Sequence, residues 1–375
     1  MERVLRTEAI GDAMAASGLN QAAVARELDV SREAVSKWLK GRTTPRPDKL
    51  LRLALLLDLT LDQMVARVPD AADPVVAFRK MGARKTTEAH IARAQKMGRL
   101  LDPVVPFLPF DELVVPPVLK EPRLTYEYVE RVAGAIRAEI GLDASDVLHF
   151  EHLIRRFREL QAVLVPVLWG ARDRHENALH IHLPESATTW VYLNLDSEVH
   201  DFKFWMAHEL AHVLAPRLRG DEGEDFADSL ASALLYPRQA AEAGYRDVTG
   251  FRGGGARMNV VKGIARELTI SPITVHERLR CFAESEGLPV IDLGNAIYGA
   301  ARNVNREHRT VSEALFGDGA AEPAEYIRVS RELFKSPFYD ALAAYLGERP
   351  RSAGYVQSVL DIPLLDAKAI HSELV

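Results

Sequence analysis

Residues 204–212 read Phe204-Trp205-Met206-Ala207-His208-Glu209-Leu210-Ala211-His212, which is an H-E-x-x-H motif. On a helix, two histidines four positions apart project from one face, and the glutamate beside them can reach a bound water molecule. The surrounding apolar residues predict a largely buried helix, in which two imidazoles need a partner. The motif therefore has the arrangement of a zinc hydrolase.

A catalytic zinc site of this type needs a third protein ligand and an open position for water. A second helical pattern begins at Glu224 and ends at Pro237, after a glycine-containing loop over 217–223 that could turn it back along the first helix. Glu224 would then be the third ligand, and Asp228 would orient one ligand histidine through its other ring nitrogen. The alternative is that both are ordinary acids near a helix N-terminus, where the helix dipole favours them.

The two helices together resemble the ImmA/IrrE family of metallopeptidases. That family pairs an H-E-x-x-H helix with a helix of the form E-x-x-A-x-x-[FL]-A-x-x-L-L-x-P, which residues 224–237 match. The resemblance covers about residues 125–285 and includes predicted strands at 162–167 and 190–195 and a helical pair at 264–279. It implies a zincin-like α+β core.

By this resemblance, one Zn²⁺ per chain is held by His208, His212 and Glu224, and Glu209 is the general base. Zinc would lower the pKa of a bound water toward ~7, and Glu209 would take its proton and pass it to the leaving amine. An oxyanion needs a further donor, for which the candidates are Tyr236, His175, His180, His182 and Arg238. The histidines at 180 and 182 alternate as on a strand, and an ordinary exposed strand face is the alternative explanation.

A second informative region lies near the N-terminus, where residues 20–42 predict two short helices joined by a tight turn. Asn20 and Ser31 are N-cap candidates, and Trp38 is a core residue. One buried face is formed by Val24, Leu28, Val30, Val35 and Leu39. This pattern resembles the XRE-type, lambda-repressor-like helix-turn-helix domain over roughly residues 3–67.

The resemblance implies that the helix over 31–40 enters the major groove of DNA. The residues able to meet base edges are Arg32, Glu33, Ser36 and Lys37. Phosphate contacts are expected from Gln21, Lys40, Arg42 and Arg46. The formal net charge of the chain is −6, so DNA contact would be a local basic patch. The alternative is a small helical bundle that contacts protein.

The chain has 375 residues, too many for a single typical domain. We predict a multidomain, mainly α protein with a small mixed β-sheet. A helix-turn-helix domain over 1–67 is followed by a basic and then proline-rich linker over 68–123 that packs in extended form. A metallopeptidase domain over 124–286 and a helical C-terminal region of unknown role over 287–375 complete the chain.

A single cysteine, Cys281, argues against disulfides and a cysteine-ligated zinc. Without a secretory signal or membrane-spanning run, a cytoplasmic bacterial location is expected.

Two functions fit these features. In the first, the chain is a DNA-binding regulatory zinc metallopeptidase that cleaves a transcriptional repressor or related regulator in a bacterial stress or mobile-element response. In the second, it is a transcription regulator whose metallopeptidase-like domain senses a metal or ligand without cleaving, as in toxin–antitoxin or phage regulation. The intact ligand set favours the first, because a sensor has no use for Glu209 as a base. A homodimer stays open, and no membrane partner is expected.

Overall fold

A computed structural model describes residues 3–40, 43, 45–67, 74–78, 88–110, 118–170, 177–319 and 321–375. The chain divides into two compact units, Met1–Asp73 and Pro74–Val375. Each unit has its own hydrophobic core. None of the helices in the described part of the chain combines the length and apolar character that crossing a membrane requires.

The first unit is helical with one small two-stranded sheet. Its described elements are β1 Arg3–Leu5, α1 Thr7–Ala16, α2 Gln21–Glu27, α3 Arg32–Leu39, α4 Pro47–Leu56, α5 Leu61–Met64 and β2 Val65–Arg67. Strand β1 pairs antiparallel with β2. The side chain of Asn20 accepts hydrogen bonds from the first turn of α2, and that of Ser31 accepts one from α3, so both predicted N-caps are confirmed. Trp38 is buried in the core, as predicted.

A four-stranded mixed sheet lies in the described part of the second unit. Its strands are β3 Val75–Phe78, β4 Ala162–Val167, β5 Ala178–Leu183 and β6 Thr188–Asn194. Their order is β3-β5-β6-β4; β4 runs parallel to β6, and the other neighbours are antiparallel. The strands predicted near 162–167 and 190–195 are therefore present, and the mainly helical class with a small mixed sheet is confirmed.

Helices surround this sheet and make up most of the second unit. They are α6 Glu88–Leu101, α7 Tyr126–Glu139, α8 Phe150–Glu159, α9 Val199–Leu214, α10 Gly220–Leu235, α11 Arg238–Thr249, α12 Gly254–Leu268, α13 Pro272–Ser285, α14 Ala296–Arg306, α15 Val311–Phe316, α16 Pro323–Glu332, α17 Phe338–Glu348, α18 Ala353–Leu360 and α19 Leu364–Leu374. A 3-10 helix, Asp102–Phe107, follows α6.

Different helices cover the two faces of the sheet. Because side chains alternate along a strand, Ile181 and its cross-strand neighbour Trp190 share one face. There Ile181 lies against Gly98 of α6, and the Trp190 ring meets Phe338 of α17. Helix α9 packs against β5 and β6. Thirteen of the sixteen residues of α9 are buried, which places the H-E-x-x-H motif inside the unit.

The outer edge of β4 is covered by side chains from α16 and from the connection between α16 and α17. Tyr326 and Ser336 donate hydrogen bonds to the carbonyl oxygens of Pro166 and Leu164. These bonds satisfy an edge strand that would otherwise present unpaired carbonyl groups. The residues after 286 are therefore not a separate region, because their helices share one core with the sheet.

The described part of the predicted 68–123 linker is regular structure that belongs to the second unit. Val75–Phe78 is a strand, Glu88–Leu101 is a helix, and the proline-rich Asp102–Phe107 is a 3-10 helix rather than an extended segment. Ala94, Met97, Gly98 and Leu101 of α6 are buried, while its charged residues lie on the opposite side. The many basic residues of this segment made the apolar spacing of α6 difficult to recognise in the sequence. Four of the basic residues, Arg79, Lys80, Arg84 and Lys85, lie outside the described residues.

The side chain of Lys203 on α9 forms a hydrogen bond with the C-terminal end of α12. Its side chain is buried, and Nζ donates a hydrogen bond of 2.5 Å to the carbonyl oxygen of Leu268, the last residue of α12. The last carbonyls of a helix have no partner within the helix, so this bond caps α12. Burial lowers the pKa of Lys203 to about 8.

Replacing this lysine should change how stability depends on pH. Below pH 8 the ammonium is charged in both states, and its burial destabilises the folded state. Between pH 8 and 10.5 only the folded protein has lost the proton, so stability rises with pH. We expect the stability of Lys203→Met relative to the wild type to fall by about 2 kcal/mol between pH 7 and 9.5 in urea unfolding. Lys368→Met, at an exposed position, is the control. A stability difference between Lys203→Met and the wild type that does not change with pH would contradict the lowered pKa of Lys203.

Candidate metal centre and nucleic-acid interface

Helix α10 returns along α9 after a short connection. It begins at Gly220, so the predicted loop over 217–223 is shorter than the sequence indicates. Asp221 and Glu222 occupy the first turn, and Glu224 lies beyond it. Because the dipole effect is confined to the first turn, it explains those two acids better than it explains Glu224.

Two buried arginines fix the other end of α10. Arg137 donates a hydrogen bond of 2.7 Å to the carbonyl oxygen of Leu234, and Arg278 donates one of 3.0 Å to that of Tyr236. Both arginines are almost fully buried. They satisfy carbonyl groups at the helix C-terminus and hold α10 in position against its neighbours.

His208, His212 and Glu224 converge between these two helices. The Nε2 atoms of the two histidines are 3.0 Å apart. One carboxylate oxygen of Glu224 lies 3.4 Å from Nε2 of His208, and the other lies 3.4 Å from Nε2 of His212. One ligand atom from each residue falls within 4.8 Å of the others, which is the spacing of three ligands around one ion. The three residues predicted to bind metal are thus brought together.

Asp228 and Glu209 complete the cluster in the predicted positions. Asp228 lies one turn after Glu224 and hydrogen-bonds Nδ1 of His208 at 2.9 Å, which leaves Nε2 of that ring directed at the other ligands. Glu209 is 1% exposed. Its Oε2 and the Oε2 of Glu224 are buried without a hydrogen-bond partner among the described residues. Such atoms cost free energy unless another group binds them.

The electrostatics of the cluster follow from this geometry. Burial acts to lower the pKa of His208, but its hydrogen bond with Asp228 and the nearby carboxylate of Glu224 raise it to about 9. Burial acts to raise the pKa of Glu224, but the adjacent imidazoles of His208 and His212 lower it to about 2. Burial raises the pKa of Glu209 to about 8. The carboxylate of Glu224 thus stabilises a positive charge beside it, which is a proton on His208 or a bound cation.

The oxyanion candidates are distributed over different places. The Tyr236 hydroxyl lies against Gly244 of α11, and Arg238 is exposed in an ion pair with Glu286. His175 lies outside the described residues. Nδ1 of His182 is 3.1 Å from the hydroxyl of Thr189.

His180 is the candidate that reaches the cluster. It is 4% exposed, so the exposed strand face is wrong for this residue. Its Nδ1 lies 3.9 Å from Oε2 of Glu209, and its ring meets that of His212 edge-on. In the sequence, the alternation of His180 and His182 along a predicted strand was the feature that pointed to His180 as a candidate.

In the first unit, α3 presents its polar residues to solvent. Arg32, Glu33 and Lys37 are exposed, and Ser36 is partly buried on the same helix. Lys40, just after α3, is exposed, and Gln21 at the start of α2 is half-buried. Arg46 is exposed, whereas Arg42 lies outside the described residues.

The comparisons with known proteins bear on this unit. Residues 10–64 match the family model for a helix-turn-helix. The N-terminal unit carries a helix-turn-helix DNA-binding domain. This supports a role in transcription regulation. No characterised protein and no solved structure matches the chain.

Two basic residues of the helix-turn-helix domain have an internal role. Lys49 Nζ donates a hydrogen bond of 2.7 Å to the carbonyl oxygen of Leu28, and Arg52 donates one of 2.7 Å to that of Glu27. The two acceptor carbonyl groups lie at the C-terminal end of α2, and both donors belong to α4. These hydrogen bonds therefore hold α4 against α2. The local excess of basic residues in the sequence therefore overstates the charge that faces DNA.

Alanine substitutions on α3 should weaken DNA binding. Arg32→Ala and Lys37→Ala are each expected to lower affinity for the region upstream of the protein's own gene by about tenfold or more, because each removes an exposed donor from the recognition helix. Gel shifts at fixed salt measure this. Arg26→Ala removes the same charge from an exposed position on α2 and serves as the control. Unaltered binding of both α3 variants would show that another surface meets DNA.

Proposed function

We propose that this chain is a DNA-binding regulatory zinc metallopeptidase that cleaves a transcriptional repressor or a related regulator. The observation that carries the proposal is the convergence of His208, His212 and Glu224 with Glu209 beside them. The resemblance of the two site helices to the ImmA/IrrE family supports the same activity.

The residues present fit a zinc ion. Two imidazole nitrogens and one carboxylate are the ligand set of catalytic zinc sites, which leave a further position for water or substrate. Asp228 supplies the acceptor that fixes the ring of His208. The orphaned carboxylate oxygens of Glu224 and Glu209 gain a partner if a cation and its water bind there.

In the proposed reaction, His208, His212 and Glu224 would hold a zinc ion, which would supply Lewis acidity and lower the pKa of an attacking water. Glu209 takes the proton of that water and later delivers it to the leaving amine. Asp228 keeps the Nδ1 proton of His208 engaged and so directs Nε2 to the metal position.

The nature of the substrate is inferred from the other unit. A helix-turn-helix domain in the same chain would bring the site near DNA-bound proteins. A transcriptional repressor in a bacterial stress or mobile-element response is therefore a better substrate than a nutrient peptide. A homodimer would match the two-fold symmetry of many DNA sites.

A non-cleaving sensor of metal or ligand is the alternative. It would keep the three ligands and would have no use for a buried carboxylate beside them. Glu209 is almost fully buried with an unsatisfied oxygen, which carries a cost that a pure sensor need not bear. This feature favours the peptidase.

Removing one ligand should remove the metal. We expect purified protein to hold about one zinc per chain, and His208→Ala or Glu224→Ala to reduce this to background, because two protein ligands do not hold zinc tightly. Elemental analysis after dialysis measures the content. Glu222→Ala, an exposed acid in the first turn of the same helix, is the control. Full zinc occupancy in a His208→Ala, Glu224→Ala double variant would refute the site.

Glu209→Gln should separate binding from catalysis. The substitution keeps the ligands, so zinc content should stay near one per chain. Cleavage of a repressor encoded beside this protein should fall by at least about a hundredfold, because the general base is lost. Co-expression followed by immunoblotting of the repressor tests this. Unchanged regulation in Glu209→Gln would instead support the non-cleaving sensor.

A further inference from the structure

His180 is a buried polar residue that the mechanism above does not use. It lies on β5 with cross-strand neighbours Ala77 on β3 and Val191 on β6. Its Nδ1 is buried without a hydrogen-bond partner among the described residues, 3.9 Å from Oε2 of Glu209. Two orphaned polar atoms from different elements thus face each other at the centre of the site.

The neighbouring histidine on the same strand shows that this arrangement is not a general property of β5. His182 lies on the same face two positions later and has its ring nitrogen 3.1 Å from the hydroxyl of Thr189. Nδ1 of His180 has no such partner in the described residues, and His180 is more deeply buried. An unsatisfied buried polar group costs about 1–3 kcal/mol, so an apolar residue would serve packing better at this position.

We propose that His180 is a positioning residue that orients the carboxylate of Glu209. Its Nδ1–H donates a hydrogen bond to Oε2, either after a shift of less than about 1 Å or through one water molecule, since 3.9 Å is too long for a direct bond. Oε1 of Glu209 then remains free to accept the proton of the attacking water. The inference rests on the proposed metal centre.

A matched pair of variants isolates the donor. Asn and Leu have similar size, and the amide nitrogen of Asn can replace Nδ1 of histidine as a donor. The comparison is therefore His180→Asn against His180→Leu, with His182→Leu as the control on the same strand face. All are prepared with Co²⁺ in place of zinc, and metal content is measured for each.

The readout is the pH profile of the visible cobalt absorption, whose midpoint belongs to the coupled pair of Glu209 and the attacking water. Loss of a hydrogen bond to a charged carboxylate should move this midpoint to higher pH by about one unit or more in His180→Leu. His180→Asn and His182→Leu should stay near the wild-type midpoint. A wild-type midpoint in metal-loaded His180→Leu would overturn the role of His180 alone, whereas a wild-type protein that binds no metal would overturn the metal centre as well.

A second measurement needs no change at His180. In the zinc-loaded protein with ¹⁵N-labelled histidine, the resonance of His180 should show a proton on Nδ1 and should shift when Glu209→Gln removes the charged acceptor. The His182 resonance should not shift. A His180 ring protonated on Nε2 instead, or one that does not respond to Glu209→Gln, would overturn the proposal.

Discussion

The second unit is organised around the cost of burying ionisable groups. His208, Glu209 and His212 lie on α9 with at most 5% of their surface exposed, and His180 joins them from β5 at 4%. Such groups destabilise a fold unless each finds a partner. Helix α10 supplies two carboxylates, and the buried arginines at its end fix where those carboxylates lie. Several neighbouring elements are therefore placed so that a polar cluster can exist in an apolar interior.

The local part of this arrangement could be predicted from the sequence. The spacing of His208 and His212 and the later acids at Glu224 and Asp228 depend on helical periodicity, which a sequence shows directly. The nearness of His180 to Glu209 could not be predicted, because it depends on how α9 crosses β5, some thirty residues earlier in the chain. Helix α6 was missed for a different reason: its four charged residues are as many as the small and apolar residues that are buried.

The C-terminal helices are necessary to the site although they contribute no residue to the cluster. Tyr326 and Ser336 satisfy the outer edge of β4, and the Tyr192 hydroxyl on β6 donates a hydrogen bond of 2.9 Å to the carbonyl oxygen of Val359. Without them, one edge and one face of the sheet would be exposed to water. The sheet in turn carries His180 and supports α9. A boundary near residue 286, which the extent of the family resemblance suggests, would therefore cut through a single core.

The burial of the cluster also limits what the proposed peptidase can cleave. The side chain of Glu224 is 14% exposed and those of His208 and His212 are less exposed, so a substrate of the proposed peptidase would have to enter as a narrow, locally unfolded segment. Few folded proteins present one, and random encounters with such segments are rare. In the proposed function, a helix-turn-helix domain in the same chain would compensate by raising the local concentration of DNA-associated proteins around the site. Restricted access and targeting to DNA together suit the slow, selective cleavage of a regulator better than general proteolysis.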